Sequence, residues 1–170
     1  GIKPEHKRRI IAFRGDSGSV LWQRETTGIR SLFFAAQHNR LVFQEKGRLM
    51  CLDLSSGDKL WESPQVKIKQ AKTLVLSDGV ALIRGARALQ AYDCTNGALL
   101  WEKEILQGHG AEAVDLFVVK GIVWPGMTAV DDSLKATKRS ARAMAVGYEL
   151  RTGEEKKRIA VDNLRSPEHH

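Results

Sequence analysis

The chain of 170 residues lacks the features that mark a membrane-spanning or metal-binding protein. No apolar run approaches the roughly 18 residues that a helix needs to cross a bilayer. Only two cysteines are present, Cys51 and Cys94, and no Cys-x-x-Cys pair occurs, which argues against a disulfide framework, a zinc site and a redox motif. We interpret both as small buried apolar residues.

Aromatic residues are scarce, and the charge is unbalanced. Aromatics make up 6% of the chain and do not interleave the basic runs, so the base-stacking surfaces of a nucleic-acid-binding protein are not expected. The net charge of +7 is concentrated in residues 3–9, 134–142 and 156–158. These runs predict either a solvated basic surface, which we favour, or contact with an anionic surface. With 42% apolar and 28% charged residues, the composition is typical of a folded globular chain.

An eleven-residue unit occurs four times. The copies are Ala12–Trp22, Cys51–Trp61, Ala91–Trp101 and Gly147–Lys157. A small residue opens each copy. The third position is acidic in three copies, namely Asp53, Asp93 and Glu149. The seventh position is always glycine, namely Gly18, Gly57, Gly97 and Gly153, and the eleventh is Trp22, Trp61, Trp101 or Lys157. Internal repeats of this kind are the primary indicator of architecture.

Each unit predicts a β-hairpin. Residues before the glycine alternate in the period of two that is typical of a strand, with apolar residues on both faces. The glycine supplies a positive φ in the turn, and the third-position acid lies where its carboxylate can accept bonds from turn amides. A second strand with the tryptophan follows. Two more strand-like runs precede units two to four, split at Asp78-Gly79 in the third and near Lys120-Gly121 in the fourth.

Four antiparallel strands in about 40 residues are typical of a propeller blade. We therefore predict an all-β fold, a partial β-propeller of about three and a half to four blades, each a four-stranded antiparallel sheet. Residues 1–170 are treated as one propeller segment. The first two strands of the first blade are expected to be missing or donated from elsewhere. Residues 128–142 are predicted to form a basic loop insertion between two strands of the last blade.

The unit resembles the tryptophan-docking motif of the pyrroloquinoline-quinone-type β-propellers. In that family the tryptophan of one blade packs near the glycine of the next, which implies contacts of Trp22, Trp61 and Trp101 with the following blade's glycine. For the three tryptophans these glycines are Gly57, Gly97 and Gly153, respectively. Arg14 in the acidic position and Lys157 in the tryptophan position depart from the pattern. Family propellers close with seven or eight blades, so we expect this chain to be part of a longer protein or an open arc.

The resemblance implies two functions. The first is a non-catalytic scaffold or protein-interaction module, as in the outer-membrane assembly lipoprotein propellers, with a bacterial, extracytoplasmic location in the periplasm or cell envelope. The partner would be another protein or the remaining blades of the same propeller. The alternative is a fragment of a quinone- and calcium-dependent alcohol or sugar dehydrogenase whose catalytic residues lie outside this segment. A sensor domain of a larger membrane protein stays open as a third class.

No catalytic, cofactor-binding or metal-binding residue is assigned, and no cofactor is predicted. The dehydrogenases of the family carry adjacent cysteines, whereas Cys51 and Cys94 are far apart. The acidic pairs Asp131-Asp132 and Glu154-Glu155 lack the spacing of a calcium loop. The histidines are His6, His38, His109, His169 and His170, and none has zinc-ligand spacing to a Cys or another His, apart from the terminal pair. We interpret His109 as a solvated loop residue. Trp124 is interpreted as a core residue.

Overall fold

The structure is a computed structural model, which describes residues 7–27, 29, 33–66, 68, 71–105, 115–126, 128–130 and 143–161. All regular elements of these residues are strands, in four separate sheets. The first sheet contains β1 (Lys7–Phe13) and β2 (Val20–Thr27). The second contains β3 (Phe34–Gln37), β4 (Arg40–Glu45), β5 (Arg48–Asp53) and β6 (Lys59–Gln65). The third contains β7 (Thr73–Ser77), β8 (Val80–Arg84), β9 (Ala88–Asp93) and β10 (Leu99–Glu104). The fourth contains β11 (Leu116–Val119), β12 (Ile122–Pro125), β13 (Thr128–Val130), β14 (Ala143–Glu149) and β15 (Glu155–Val161).

Every described strand pairs antiparallel with its neighbour in the sheet. The second and third sheets are four-stranded meanders in which spatial order follows chain order. In the fourth sheet, β12 and β13 both pair with the same side of β14, so together they act as one interrupted strand, and β15 pairs with β14 as well. The predicted all-β fold with four-stranded antiparallel sheets is confirmed. No helix among the described residues is long and apolar enough to cross a membrane.

Tight turns with two positive-φ residues connect the first two strands of each complete sheet. Asp78 (φ 43°) precedes Gly79 (φ 76°), and Lys120 (φ 50°) precedes Gly121 (φ 72°), which confirms both predicted hairpins. Such type I′ turns match the right-handed twist of the paired strands. The corresponding turn of the second sheet, at residues 38–39, uses His38 (φ 46°), which accounts for the position of that histidine in a loop.

The sheets stack face to face, and a hydrophobic core fills each interface. β7 lies against β3 on one side and against β11 on the other, so the first strands of the sheets are adjacent at the inside of an arc. Alternate residues of β8 serve opposite interfaces: Ala81 and Ile83 pack toward the second sheet, whereas Val80 and Leu82 pack toward the fourth. All five residues of β8 are buried as a result, and the predicted covering of both strand faces is observed.

Two irregular regions behave differently from a complete propeller blade. The first sheet has two described strands, as expected for a blade without its inner pair. In the fourth sheet, Thr128–Val130 form β13, paired with β14, so the predicted loop insertion at 128–142 is not loop at its start. The antiparallel pairing of β13 with β14 runs from Thr128, opposite Ala145, to Val130, opposite Ala143. Residues 131–142 and 162–170 lie outside the described residues.

Candidate protein-interaction surface

Three tryptophans join each sheet to the next. In every case the indole nitrogen donates a hydrogen bond to a backbone carbonyl in the turn of the following sheet. The donor and acceptor residues are Trp22 and Leu54 (2.9 Å), Trp61 and Cys94 (2.7 Å), and Trp101 and Leu150 (2.9 Å). Trp61 and Trp101 are buried. The bond gives the polar end of a large apolar side chain a partner inside the interface.

Each indole ring lies directly over a glycine of the next sheet. A Cβ atom added at these glycines would overlap the ring, at Gly57 (2.7 Å from Trp22), Gly97 (2.5 Å from Trp61) and Gly153 (2.7 Å from Trp101). A side chain at the seventh position of the unit is therefore incompatible with the observed packing. The three contacts that the repeat predicts are present in the structure.

The third-position acids stabilise the turns. The Asp53 carboxylate accepts bonds from the backbone amides of Ser55 (2.8 Å) and Ser56 (3.0 Å). The hydroxyl of Ser55 bonds to the same carboxylate and, with the amide of Ser56, holds the pKa of Asp53 below its usual range. The hydroxyl and then the amide of Thr95 lower the pKa of Asp93 in the same way. These carboxylates are thus committed to turn geometry.

Acid is expected to remove this turn stabilisation. The pKa of Asp93 is lower in the folded chain than in the unfolded chain, so its contribution is complete above the unfolded-state pKa and is lost as pH falls through the folded-state value. The urea concentration at the unfolding midpoint should therefore decrease less between about pH 7 and about pH 3 in Asp93→Asn than in the native chain. Asp78→Asn, in the β7–β8 turn, is the control. An equal fall in the native chain and in Asp93→Asn would contradict the assignment.

Burial accounts for the two cysteines. Cys51 and Cys94 are unpaired thiols in the same core between the second and third sheets. Burial raises the pKa of Cys51 to about 11 and that of Cys94 to about 12, so both are protonated and poorly reactive near neutral pH. The prediction that they are small buried apolar residues is confirmed.

The remaining residues singled out in the sequence are not brought together. His38 lies exposed in a turn, and the other four histidines lie outside the described residues, as do Asp131 and Asp132. Glu154 pairs with Lys156 (2.9 Å), and Glu155 pairs with Arg158 (2.8 Å), so part of the third basic run is engaged by acids on the same hairpin. No group of three potential metal ligands occurs among the described residues.

Trp124 packs within its own sheet. A Cβ atom at Gly147 would lie 2.9 Å from the Trp124 ring. Trp124 is half-buried and belongs to none of the core clusters of the described residues, so its interpretation as a core residue stays a prediction.

Among the described residues, the first sheet consists of β1 and β2. The register shows which strand β1 corresponds to: the first residue of each unit pairs with the eleventh in all four sheets. The pairs are Ala12 with Trp22, Cys51 with Trp61, Ala91 with Trp101, and Gly147 with Lys157. β1 is thus the counterpart of β5, β9 and β14, each of which also pairs with a more central strand. Among the described strands, β1 pairs with β2 alone.

A groove of about 560 Å³ lies beside this edge of β1. Its lining is largely apolar and includes Ile10, Ile29, Phe34 and Leu41. Phe34 is 50% exposed, although it belongs to the innermost strand of the second sheet. The groove therefore presents apolar surface next to an edge strand, a combination that recruits further β-structure.

One buried hydroxyl points to a missing partner in the groove. Thr26 lines the groove and is 2% exposed, and its Oγ1 atom has no hydrogen-bond partner among the described residues. Leaving a buried hydroxyl unbonded costs about 1–3 kcal/mol, so such groups are normally satisfied by protein, water or a ligand. Sequence reasoning gave no indication of Thr26, because its burial depends on packing between the first and second sheets.

Two basic side chains line the groove. Arg8 and Arg9 on β1 are exposed, and Arg9 Nη1 donates to Gln23 Oε1 at 3.3 Å. They belong to the first basic run of the sequence, for which a solvated surface is the favoured expectation. Their presence beside apolar lining residues favours a bound segment that carries an acidic residue.

A family comparison places the fold in context. The family model described as outer membrane protein assembly factor BamB matches residues 5–160. The chain belongs to this family. The BamB-family chain also has the fold of BamB from Moraxella catarrhalis, with a TM-score of 0.53 and 18% identity over 89% of this chain and 58% of that one. It thus spans less than two thirds of that relative. No match was found among curated proteins.

Two further solved structures share the fold of this BamB-family chain. The computationally designed Ika4 protein aligns with a TM-score of 0.51 and 17% identity, over 73% of this chain and 68% of Ika4. The quinohemoprotein alcohol dehydrogenase from Comamonas testosteroni aligns with a TM-score of 0.56 and 14% identity, over 89% of this chain and 32% of the enzyme. At such low identities the likeness concerns the fold alone, and the function must be argued from the surface.

Proposed function

We propose that the chain is a non-catalytic β-propeller scaffold that binds a protein partner along the edge of β1. The observation that carries the proposal is an edge of β1 that pairs with no other described strand. Beside it lies an apolar groove lined by Thr26, whose buried hydroxyl has no partner among the described residues. The description of the family as an assembly factor supports this class of function, together with an extracytoplasmic location at the bacterial envelope.

The binding mode is strand addition. An extended segment pairs antiparallel with β1 through its backbone, which provides affinity, and its alternate side chains enter the groove, which provides specificity. Apolar side chains contact Ile10 and Phe34, and a polar side chain bonds to Thr26. An acidic residue at the end of the segment meets Arg8 and Arg9. Ile10, Phe34, Arg8, Arg9 and Thr26 all belong to the residues that line the groove. The hydroxyl of Thr26 is buried, so a partner must displace neighbouring side chains to reach it.

The chain's own third sheet supplies a probe for this mode. In the third sheet, the hairpin Thr73–Arg84 contains β7 and β8, and β8 pairs with β9. β9 is the counterpart of β1, so the hairpin corresponds in position to the groove beside β1. A synthetic peptide of these residues should bind the intact chain and shift the backbone amide resonances of β1 in ¹⁵N–¹H spectra. Leu82→Pro in the peptide removes a ladder donor and should abolish the shifts. Absence of any shift in β1 with the unmodified peptide would refute the proposed site.

Variants of the chain separate the contributions of the groove. Ala36→Trp fills the groove from an exposed position and should block the peptide, whereas Ala98→Trp, at an exposed turn, is the matched control. Thr26→Val keeps the side-chain shape and removes one hydrogen bond, so affinity should fall about two- to tenfold. Register places Arg84 of the peptide opposite Ile10, so Glu in place of Arg84 lies on the same face of the ladder as Arg8 and should tighten binding. Equal affinity in all variants would contradict binding in the groove.

The second candidate is a fragment of a quinone-dependent dehydrogenase whose catalytic residues lie outside this segment. The likeness in fold to the quinohemoprotein alcohol dehydrogenase supports it. The thiols of Cys51 and Cys94 and the carboxylates of Asp53 and Asp93 have structural positions here, so the described residues favour the scaffold. Dye reduction with an alcohol by the parent protein after addition of quinone and calcium would decide for the enzyme.

A further inference from the structure

Only one Asn-Gly dipeptide occurs in the sequence, and it lies in the turn between β9 and β10 of the third sheet. The pair is Asn96-Gly97, whereas Asn39 precedes arginine and Asn163 precedes leucine. An asparagine before glycine is chemically reactive, because no side chain hinders the attack of the glycine nitrogen on the neighbouring carboxamide. The other three units have a hydroxyl at this sixth position, so the reactive pair belongs to the third unit alone.

The Asn96 side chain has the same local role as those hydroxyls. Its Oδ1 atom accepts a hydrogen bond from the backbone amide of Ala98 at 2.9 Å. In the second unit, Ser56 Oγ accepts the corresponding bond from the amide of Asp58 at 3.2 Å. Serine is therefore a native-like replacement for Asn96, since it keeps the bond within the turn and removes the carboxamide.

The two groups that would react differ in their surroundings. Asn96 is exposed, so its carboxamide is in contact with water, whereas Gly97 is buried. The Gly97 amide donates to the Asp93 carbonyl at 2.8 Å, and an added Cβ at Gly97 would lie 2.5 Å from the Trp61 ring. Before the nitrogen can attack, this hydrogen bond must break and the backbone must rotate beneath the ring. The closed interface between the second and third sheets therefore restrains the reaction.

We propose that Asn96 is a site of spontaneous deamidation whose rate is set by opening of the interface between the second and third sheets. The Gly97 nitrogen forms a bond to Asn96 Cγ, and its proton goes to the side-chain amino group, which leaves as ammonia. The product is a succinimide ring. Water then opens this ring at either carbonyl, which yields aspartate or isoaspartate at position 96. The reaction needs no oxidant, reductant or enzyme.

Isoaspartate changes the turn in a way that aspartate does not. The main chain then passes through the former side chain, which adds a methylene between position 96 and Gly97. Gly97 can no longer both remain beneath the Trp61 ring and donate to the Asp93 carbonyl. The modification therefore weakens the interface that restrained it. The site is separate from the groove and does not depend on the proposed function.

Variants of the complete chain, incubated in mildly alkaline buffer, provide the test. Mass spectrometry of the fragment that contains residue 96 measures the conversion, and chromatography separates aspartate from isoaspartate. Trp61→Ala should raise the rate at least about tenfold, because loss of the ring increases the population of the open turn. Trp101→Ala truncates the equivalent ring at the next interface and should raise the rate less than about threefold. Asn96→Ser should abolish the reaction.

A milder variant keeps the test valid if Trp61→Ala fails to fold. Trp61→Phe retains an aromatic ring and loses the hydrogen bond to the Cys94 carbonyl, so its rate should lie between those of the native chain and Trp61→Ala. Circular dichroism would show which variants are folded. The isolated isoaspartate form should unfold at a lower urea concentration than Asn96→Asp, because only the former has a lengthened backbone.

Three results would overturn the proposal. Residue 96 could remain asparagine in the folded chain and all its folded variants, or it could react equally fast in the native chain and both Trp61 variants. Trp101→Ala could also accelerate the reaction as much as Trp61→Ala, which would mean that it follows global unfolding. Binding of the hairpin peptide in the groove should be the same in Asn96→Ser as in the native chain. Failure of this site and failure of the groove are therefore distinguished.

Discussion

Trp61→Ala is expected to lower the free energy of unfolding by about 3–5 kcal/mol, the loss typical of a large aromatic side chain removed from a core. The ring lies over Gly97 in the core between the second and third sheets, and its nitrogen bonds to the Cys94 carbonyl at 2.7 Å. Truncation would leave a cavity at that interface and an unbonded buried carbonyl, and the two effects add in the same direction.

Urea unfolding followed by circular dichroism would measure the effect. Leu60→Ala is the matched control, because Leu60 precedes Trp61 on the same strand but is 47% exposed, so its truncation should have little effect. Trp61→Phe should be intermediate, since an aromatic ring remains while the hydrogen bond is lost. Similar losses for Leu60→Ala and Trp61→Ala would mean that the indole does not join the sheets.

Gly97→Ala is the second substitution with a large expected effect. The residue has φ +75°, and an added Cβ would lie 2.5 Å from the Trp61 ring. A left-handed conformation costs a residue with a side chain about 1–2 kcal/mol, and overpacking adds about 1–3 kcal/mol, so a destabilisation of about 2–5 kcal/mol is expected.

The structure contains a control that isolates the packing contribution. Gly121 has nearly the same backbone conformation (φ +72°), but an added Cβ would meet nothing within 4 Å. Gly121→Ala should therefore lose only the conformational part, about 1–2 kcal/mol. In a double-mutant cycle, Gly97→Ala should cost less in the Trp61→Ala background than in the native chain, because the colliding ring is absent. Additive losses would exclude a direct contact between the two positions.

Much of the architecture could be predicted from local patterns. The alternation before each glycine, the dipeptides Asp78-Gly79 and Lys120-Gly121, and the spacing from glycine to tryptophan depend on interactions within a few residues. Repetition reinforced each of these patterns, so the strands and the turns were expected from the residues. The contacts of Trp22, Trp61 and Trp101 were expected from the resemblance to the propeller family.

The extent of the fourth sheet was harder to predict. Thr128–Val130 were assigned to a loop as part of the polar and basic insertion 128–142, but they form a ladder with Ala143–Ala145. Pairing with a strand some fifteen residues further along the chain decides their conformation. Such tertiary pairing overrides local preference, which is why β-propensity depends on context.

The order of residues alone was enough to predict the repeated sheet, since each unit contains two strands and the turn between them, and the resemblance to the propeller family added the way one sheet is joined to the next. The groove beside β1 and the buried hydroxyl of Thr26 became visible only in three dimensions. Both depend on how the first sheet packs against the second. Burial is a property of the packed arrangement, so a local sequence pattern does not determine it.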